Sequence, residues 1–206
     1  IRIDFTNYST DFPEKWKNYI NGKTIHGAFH GITESAIPNF NNTILAKGKT
    51  AKEQIQSAYS QGIENTTNIQ FHFEIGGNYF LEIAKLKAFR ILWKNKTGQD
   101  AFVFASTTKN NKKEEFAYNN ILRTTTECMS AIFGGANAIM INSYNHTFEN
   151  ATEFSERISR NQQTILRKES YLDKVEDPTK GAYYTDYLIE QLLEDYNLEK
   201  SESIKP

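Results

Sequence analysis

The alternation of strand-type and helix-type segments is the feature that most constrains the fold of this chain. Apolar patterns predict strands at 40–46, 69–75, 101–106 and 137–142, and a helix-type pattern follows each of them. Alternation of this kind is typical of βα units arranged around a parallel sheet. We therefore expect an α/β protein with about four or five βα units.

Residues 69–75 have the clearest strand pattern, because apolar and polar side chains alternate along the whole segment. One predicted face carries the apolar residues Ile69, Phe71, Phe73 and Ile75. The other face carries the polar residues Gln70, His72 and Glu74. A histidine between two polar neighbours suits either a general base or a hydrogen-bonded structural cluster, and we favour the structural interpretation.

Helix signals of several kinds lie between the strands. Thr50 and Glu53 form a capping box at the start of a helix that ends at Gly62. Further helices are predicted over 79–94 and up to Gly134. Cys128 lies on the apolar stripe of the helix that ends at Gly134, so we interpret it as part of the core.

The last two helices are predicted over 152–168 and 182–196. For helix 152–168 we expect an inner side formed by Phe154, Ile158, Ile165 and Leu166. Asn161 and Gln162 interrupt this stripe, and we interpret them as buried amides that bond to neighbouring backbone or loops.

Composition and length describe an ordinary globular domain. The chain has 206 residues, a formal net charge of −1 and no apolar run of the roughly 18 residues that a membrane span needs. These properties favour neither a nucleic acid nor a membrane as a partner. The single cysteine fits a reducing compartment, so we expect a cytoplasmic protein.

Three regions follow from the patterns. Residues 1–36 form an N-terminal segment, in which a helix is predicted at 11–20 and a strand at 24–29. Residues 37–199 form the α/β domain, and residues 200–206 form a polar tail. An eight-stranded barrel takes about 250 residues, so this chain could supply only part of one. We expect it to be a piece of a longer protein.

The motifs that usually carry chemistry are absent from the sequence. It has no phosphate loop, no Gly-x-Gly-x-x-Gly and no His-Glu-x-x-His. His26 and His30 have a spacing that could serve a metal on a helix, but Gly27 and Gly31 argue against a helix there. We predict no metal site, and we interpret the charge run Lys109–Glu115 as a solvated loop.

Several longer segments resemble methylmalonyl-CoA mutases. Glu82–Trp93 resembles the E-I-A-K-L-R-A-x-R-x-L-W helix of that family, and Tyr118–Thr125 resembles its Y-N-N-x-x-R-T-T segment. Phe133-Gly134-Gly135, Arg157–Gln162 and Asp177-Pro178 follow in the family's order. The resemblance covers about residues 40–196.

The resemblance implies a fold and a chemistry. It implies a (β/α)8 TIM barrel, of which this chain would be about the C-terminal half, with coenzyme A along the barrel axis and a separate cobalamin domain over it. Adenosylcobalamin in the holoenzyme would support the rearrangement of methylmalonyl-CoA to succinyl-CoA. The family also includes heterodimers of a catalytic large subunit and a homologous, non-catalytic small subunit.

At three positions this sequence departs from the catalytic pattern that the resemblance implies. Phe104 stands where the family has a histidine that contacts the thioester carbonyl, Asn68 where it has the arginine for the substrate carboxylate, and Leu45 where it has a glutamine. The resemblance also directs polar side chains into the lumen, namely Gln70, His72, Glu74 and Asn137.

These departures predict a small, non-catalytic barrel subunit that binds no cofactor itself and pairs with a homologous catalytic large subunit. We expect this chain to have no catalytic residues. The alternative is a catalytic mutase for a different acyl-CoA, in which His72 and Glu74 take part. An unrelated α/β binding module is a third, weaker interpretation.

Overall fold

A computed structural model describes residues 2–4, 27–30, 40–64 and 69–196, with side chains from residue 43 onward. The predicted helix at 11–20, His26 and Asn68 lie outside the described residues. Predictions that concern them stay predictions.

One six-stranded sheet runs through the described part of the chain, and all its strands are parallel. Its strands are β1 (Arg2–Asp4), β2 (Gly27–His30), β3 (Phe40–Leu45), β4 (Ile69–Ile75), β5 (Val103–Thr107) and β6 (Ala138–Met140). Each strand pairs with the next one along the chain. The prediction of an α/β protein with a parallel sheet is confirmed, although β1 was not predicted because three residues carry too little periodicity.

Five α-helices lie in the described part of the chain. They are α1 (Ala51–Glu64), α2 (Tyr79–Thr97), α3 (Asn119–Phe133), α4 (Glu153–Lys168) and α5 (Tyr183–Leu193). Helix α2 is longer than predicted and ends where Gly98 adopts a left-handed φ of 73°. Helix α4 begins as predicted with Thr152, whose side chain accepts a hydrogen bond from the backbone of Ser155.

The main hydrophobic core lies between the sheet and the helices on one face, which we name the outer face. The ring of Phe71 on β4 contacts Phe89 and Trp93 of α2, with centroids 4.6 and 4.7 Å away. Gly62 of α1 faces the same rings, and a Cβ atom there would lie 2.6 Å from Trp93. A glycine is therefore needed for α1 to approach the core this closely.

Helix α5 packs against α2, although α3 and α4 lie between these two helices in the sequence. Ile189 and Leu192 of α5 join the main core. Tyr184 contacts the ring of Phe80 at 5.6 Å, and Lys87 of α2 forms an ion pair with Asp177 in the segment before α5.

The inner side of α4 differs from the prediction. Phe154 and Ile165 are 45% and 46% exposed, whereas Ser155 and Ser159 are buried. Gln162 is buried as predicted and donates hydrogen bonds to α3, but Asn161 is exposed. The Gln162 amide finds its hydrogen-bond acceptors on α3, whereas the Ser155 and Ser159 hydroxyls donate to the Thr152 and Ser155 carbonyls at the start of α4 itself. An apolar pattern cannot indicate such partners.

Helices α1, α2 and α3, which connect consecutive strands, pack on the outer face, and α4 and α5 pack against α3 and α2. Right-handed crossovers between consecutive parallel strands place every connecting helix on the same side of the sheet. The opposite face, which we name the inner face, carries Gln70 and His72. Loops at the carboxyl ends of the strands lie at one common edge of the sheet.

Candidate functional site

Two of the positions that depart from the catalytic pattern lie in one row across the inner face. Leu45 on β3 pairs in register with His72 on β4, and His72 pairs with Phe104 on β5. The rings of His72 and Phe104 are in contact, with centroids 4.8 Å apart. Phe104 is therefore buried against a neighbouring side chain of the same face.

The polar residues of the inner face bond to one another across the strands. His72 Nε2 lies 2.7 Å from the hydroxyl oxygen of Ser106, and the Gln70 amide donates to Thr43 at 3.5 Å. Gln70 is 7% exposed, His72 5% and Ser106 3%. The structure thus brings Gln70 and His72 together on a face where little water reaches them.

Glu74 shares this face, but Asn137 does not. Asn137 has the same parity as Ile139 on the outer side, since Ala138 pairs with Phe104 on the inner side. Its side-chain oxygen accepts hydrogen bonds from the Val103 amide at 2.8 Å and from Arg90 at 3.1 Å. Asn137 therefore caps the start of β5, and its predicted placement in the lumen is wrong.

A cleft of about 560 Å³ opens at the carboxyl ends of β3, β4 and β5. Its walls come from the last residues of these strands and the loops after them, and include Leu45, Lys47, Lys49, Glu74, Gly76, Gly77, Asn110 and Asn111. In α/β proteins the carboxyl ends of parallel strands are the usual place for a ligand site. Glu74 links this cleft to the inner face.

A buried lysine lies behind the cleft, and sequence reasoning missed it. Lys85 of α2 is 1% exposed and donates to the Gln54 side chain at 2.7 Å and to the Glu74 carbonyl at 2.8 Å. It also forms an ion pair with Glu82. Desolvation lowers the pKa of Lys85, and the Glu82 carboxylate opposes that shift.

The three residues that Lys85 contacts through these bonds all line the cleft, so the lysine fixes part of its wall. A signal for this role exists in the sequence, because Lys85 lies between the core residues Ala84 and Leu86. A lysine next to buried apolar positions of a helix needs a partner there.

A second buried ion pair joins Lys112 to Glu127 of α3. The Lys112 ammonium lies 2.8 Å from the carboxylate, and the two side chains are 0% and 1% exposed. Desolvation lowers the pKa of Lys112 and raises that of Glu127. The interpretation of Lys109–Glu115 as a solvated loop is therefore wrong for Lys112.

The described residues offer little for a metal or a membrane. They contain no group of three or more histidine, cysteine or acidic side chains that could hold a metal ion. Within the same ranges, no helix has both the length and the apolar character that a bilayer span requires. Cys128 is buried, as predicted, with Ile141 and Leu166.

The parallel strands follow chain order, the connecting helices lie on one face of the sheet, and a cleft opens at the carboxyl ends of the strands. These features define a parallel α/β protein built from consecutive βα units. The family model described as methylmalonyl-CoA mutase matches residues 44–202. The chain belongs to the methylmalonyl-CoA mutase family.

Curated relatives agree with this assignment. The methylmalonyl-CoA mutase small subunit of Porphyromonas gingivalis is 38% identical over 162 residues, which cover 73% of this chain and 26% of the relative. The methylmalonyl-CoA mutase of Rhizobium meliloti is 36% identical, with 73% and 22% covered. The mitochondrial enzyme of Homo sapiens is 36% identical, with 61% and 18% covered. The chain thus spans about a quarter of these relatives or less.

Proposed function

We propose that this chain is part of the non-catalytic barrel subunit of a methylmalonyl-CoA mutase. In this proposal it supports a homologous catalytic large subunit, which isomerises methylmalonyl-CoA to succinyl-CoA with adenosylcobalamin. The observation that carries the proposal is Phe104, which packs against His72 and which the resemblance aligns with the thioester-contacting histidine.

The chemistry of the three substituted positions supports this role. A phenyl ring and an aliphatic side chain have no hydrogen-bond donor, so neither Phe104 nor Leu45 can polarise a thioester carbonyl. Asn68 is neutral and cannot form the paired, charge-assisted hydrogen bonds that an arginine makes with a carboxylate. Differential binding of a transition state needs such groups.

The packing of the inner face supports the same role. Gln70 and His72 are buried and bond to residues of neighbouring strands. A pantetheine chain along the axis of a barrel would have to displace these side chains. Strands β3 to β6, which are parallel and follow chain order, support the partial barrel that we propose for residues 37–199, about the C-terminal half of a (β/α)8 barrel.

The two histidines whose side chains the structure describes, His72 and His146, do not fit a cobalt ligand. His72 is 5% exposed, and its Nε2 atom is engaged with Ser106. In His146 the Nδ1 atom lies 2.8 Å from the Ser143 carbonyl oxygen, and the Nε2 atom is buried. Neither ring presents a nitrogen to a cofactor as large as cobalamin, so we place the cofactor on the partner and assign no step through it to this chain.

The partner and the compartment are part of the proposal. The Porphyromonas gingivalis relative is named a small subunit, which supports a heterodimer with a large subunit. We expect an interface well above about 1,000 Å². The single cysteine, buried and reduced, fits the cytoplasm.

The cleft favours a second candidate function, a mutase for a different acyl-CoA. Glu74 is a carboxylate at the wall of a cleft that also includes Leu45. Without the arginine, such a site would select an acyl group that carries a hydroxyl or a cation instead of a carboxylate.

The test uses the complete parent protein, purified alone and together with its large subunit. We expect no succinyl-CoA from the parent alone with adenosylcobalamin and methylmalonyl-CoA, full turnover by the complex, and co-purification of the two subunits. Turnover by the parent alone would refute the proposal. Calorimetric binding of another acyl-CoA, lost in Glu74→Gln, would support the second candidate.

A further inference from the structure

Two loops meet at the carboxyl edge of the sheet, and one asparagine side chain joins them. Asn120, in the first turn of α3, is 0% exposed. Its Nδ2 group donates to the Lys113 carbonyl at 2.8 Å and to the Tyr144 carbonyl at 3.0 Å. Its Oδ1 atom accepts from the Lys113 amide at 3.1 Å and from Arg123 at 2.7 Å. Both amide hydrogens and both lone pairs are thus in use.

The two loops come from different strands. Lys113 belongs to the loop 108–118 after β5, and Tyr144 belongs to the loop 141–152 after β6. A single buried side chain therefore holds the backbones of both loops.

Loop 108–118 has a second anchor on the same helix. The carboxylate of Glu127, further along α3, accepts hydrogen bonds from Lys112 at 2.8 Å and from the Asn111 amide at 2.6 Å. Asn111 also lines the cleft, whereas Asn120 and Glu127 do not.

Apart from the Tyr118 ring, which contacts the Tyr144 ring of loop 141–152 with centroids 5.3 Å apart, loop 108–118 has few apolar contacts that could replace these anchors. Phe116 is 73% exposed and has a φ of 53°, a conformation that a bulky side chain rarely adopts. Lys113, Glu114 and Glu115 are also exposed. A loop with so little buried apolar surface depends on its polar anchors for its order.

We propose that Asn120 and Glu127 form a clamp that holds loop 108–118 as a fixed wall of the cleft, and that Asn120 couples this loop to loop 141–152. Both are positioning residues that act on the cleft through Asn110 and Asn111. The clamp gives the Tyr118–Thr125 segment a role that does not depend on the proposed function.

The test is hydrogen exchange followed by mass spectrometry on the chain and three variants. Asn120→Asp keeps the shape of the side chain but removes both donors. Asn119→Asp, at the exposed neighbouring position, is the matched control for the introduced charge. Glu127→Gln weakens only the anchor of the first loop.

We expect Asn120→Asp to speed exchange about tenfold or more in both loops, which is the factor for one lost buried hydrogen bond. Glu127→Gln should speed exchange in 108–118 and leave 141–152 unchanged. Exchange in β4 should stay slow in every variant, which separates a local clamp from a general loss of stability.

Unchanged exchange in both loops of Asn120→Asp would overturn the clamp, and so would an equal effect of Asn119→Asp. If Asn120→Asp does not fold, the pair Lys112→Met/Glu127→Leu removes the second anchor without leaving a buried charge unpaired. Slow exchange of 108–118 in that variant would equally overturn the proposal.

Discussion

Lys85 offers the sharpest test of how this fold is held together. In Lys85→Met the apolar stem of the side chain is kept and the ammonium group is lost. The variant leaves the Glu82 carboxylate without its buried cation, and the Gln54 side chain and the Glu74 carbonyl without their donor.

The size of the effect follows from the burial of the two partners. Removing one member of a buried ion pair costs about 3–5 kcal/mol. The Glu82 side chain is 12% exposed and lies beside the cleft, so it can regain some water in the variant. We therefore expect the free energy of unfolding to fall by about 3 kcal/mol, the lower end of that range.

Urea unfolding at neutral pH, followed by circular dichroism, measures this change. Lys94→Met is the matched control, since Lys94 is 60% exposed and its partner Asp100 is 69% exposed. A solvated pair contributes little, and we expect a change within about 0.5 kcal/mol. If the free energy of unfolding of Lys85→Met falls by less than about 1 kcal/mol, the buried ammonium does not stabilise the wall of the cleft as we argue.

Three further predictions concern the inner face, the thiol and α4. Phe104→His alone should yield no succinyl-CoA, since Leu45 and Asn68 stay as they are, and turnover above background would contradict the proposed role. Burial raises the pKa of the Cys128 thiol to about 12, so iodoacetamide should alkylate the native chain at pH 8 far more slowly than the chain in urea. The thiol ionises at a lower pH in the unfolded chain than in the folded chain, so the stability that the buried neutral thiol contributes is fully present below about pH 9 and is lost as the pH rises toward 12. In Cys128→Ala this part of the pH-dependent loss of stability should disappear. Gln162→Ala breaks three hydrogen bonds to α3 and should lower the free energy of unfolding by about 1–3 kcal/mol, against less than about 0.5 kcal/mol for the exposed Asn161→Ala.

Periodicity predicted the elements in which the backbone geometry alone decides which side chains face the core. Strand β4 has the predicted bounds, and its apolar residues Phe71 and Phe73 face the helices. The placement of Asn137 in the lumen came from the resemblance and not from periodicity, and it is wrong because Asn137 lies one residue before β6, with the parity of the outer side.

The buried polar groups could not be predicted in the same way. Lys112 and Glu127 are 15 residues apart in the sequence, and no helix or strand period relates them. Lysine and glutamate are both residue types that usually lie at solvent-exposed positions. Only the fold brings the loop after β5 onto α3, so that the two charges meet away from water. Gln162 on α4 is buried for the same reason, because its hydrogen-bond partners lie on α3. The Ser159 hydroxyl, in contrast, donates to the Ser155 carbonyl within α4.

The return of α5 to α2 sets an order of assembly for the chain. Every strand pairs with its neighbour in sequence, so the sheet can grow strand by strand as the polypeptide leaves the ribosome. Helix α2 cannot complete its packing at that stage, because Ile189 and Leu192 are made about a hundred residues later. Until they arrive, the outer side of α2 is exposed to other chains, and it is there that we expect a chaperone to bind the nascent protein.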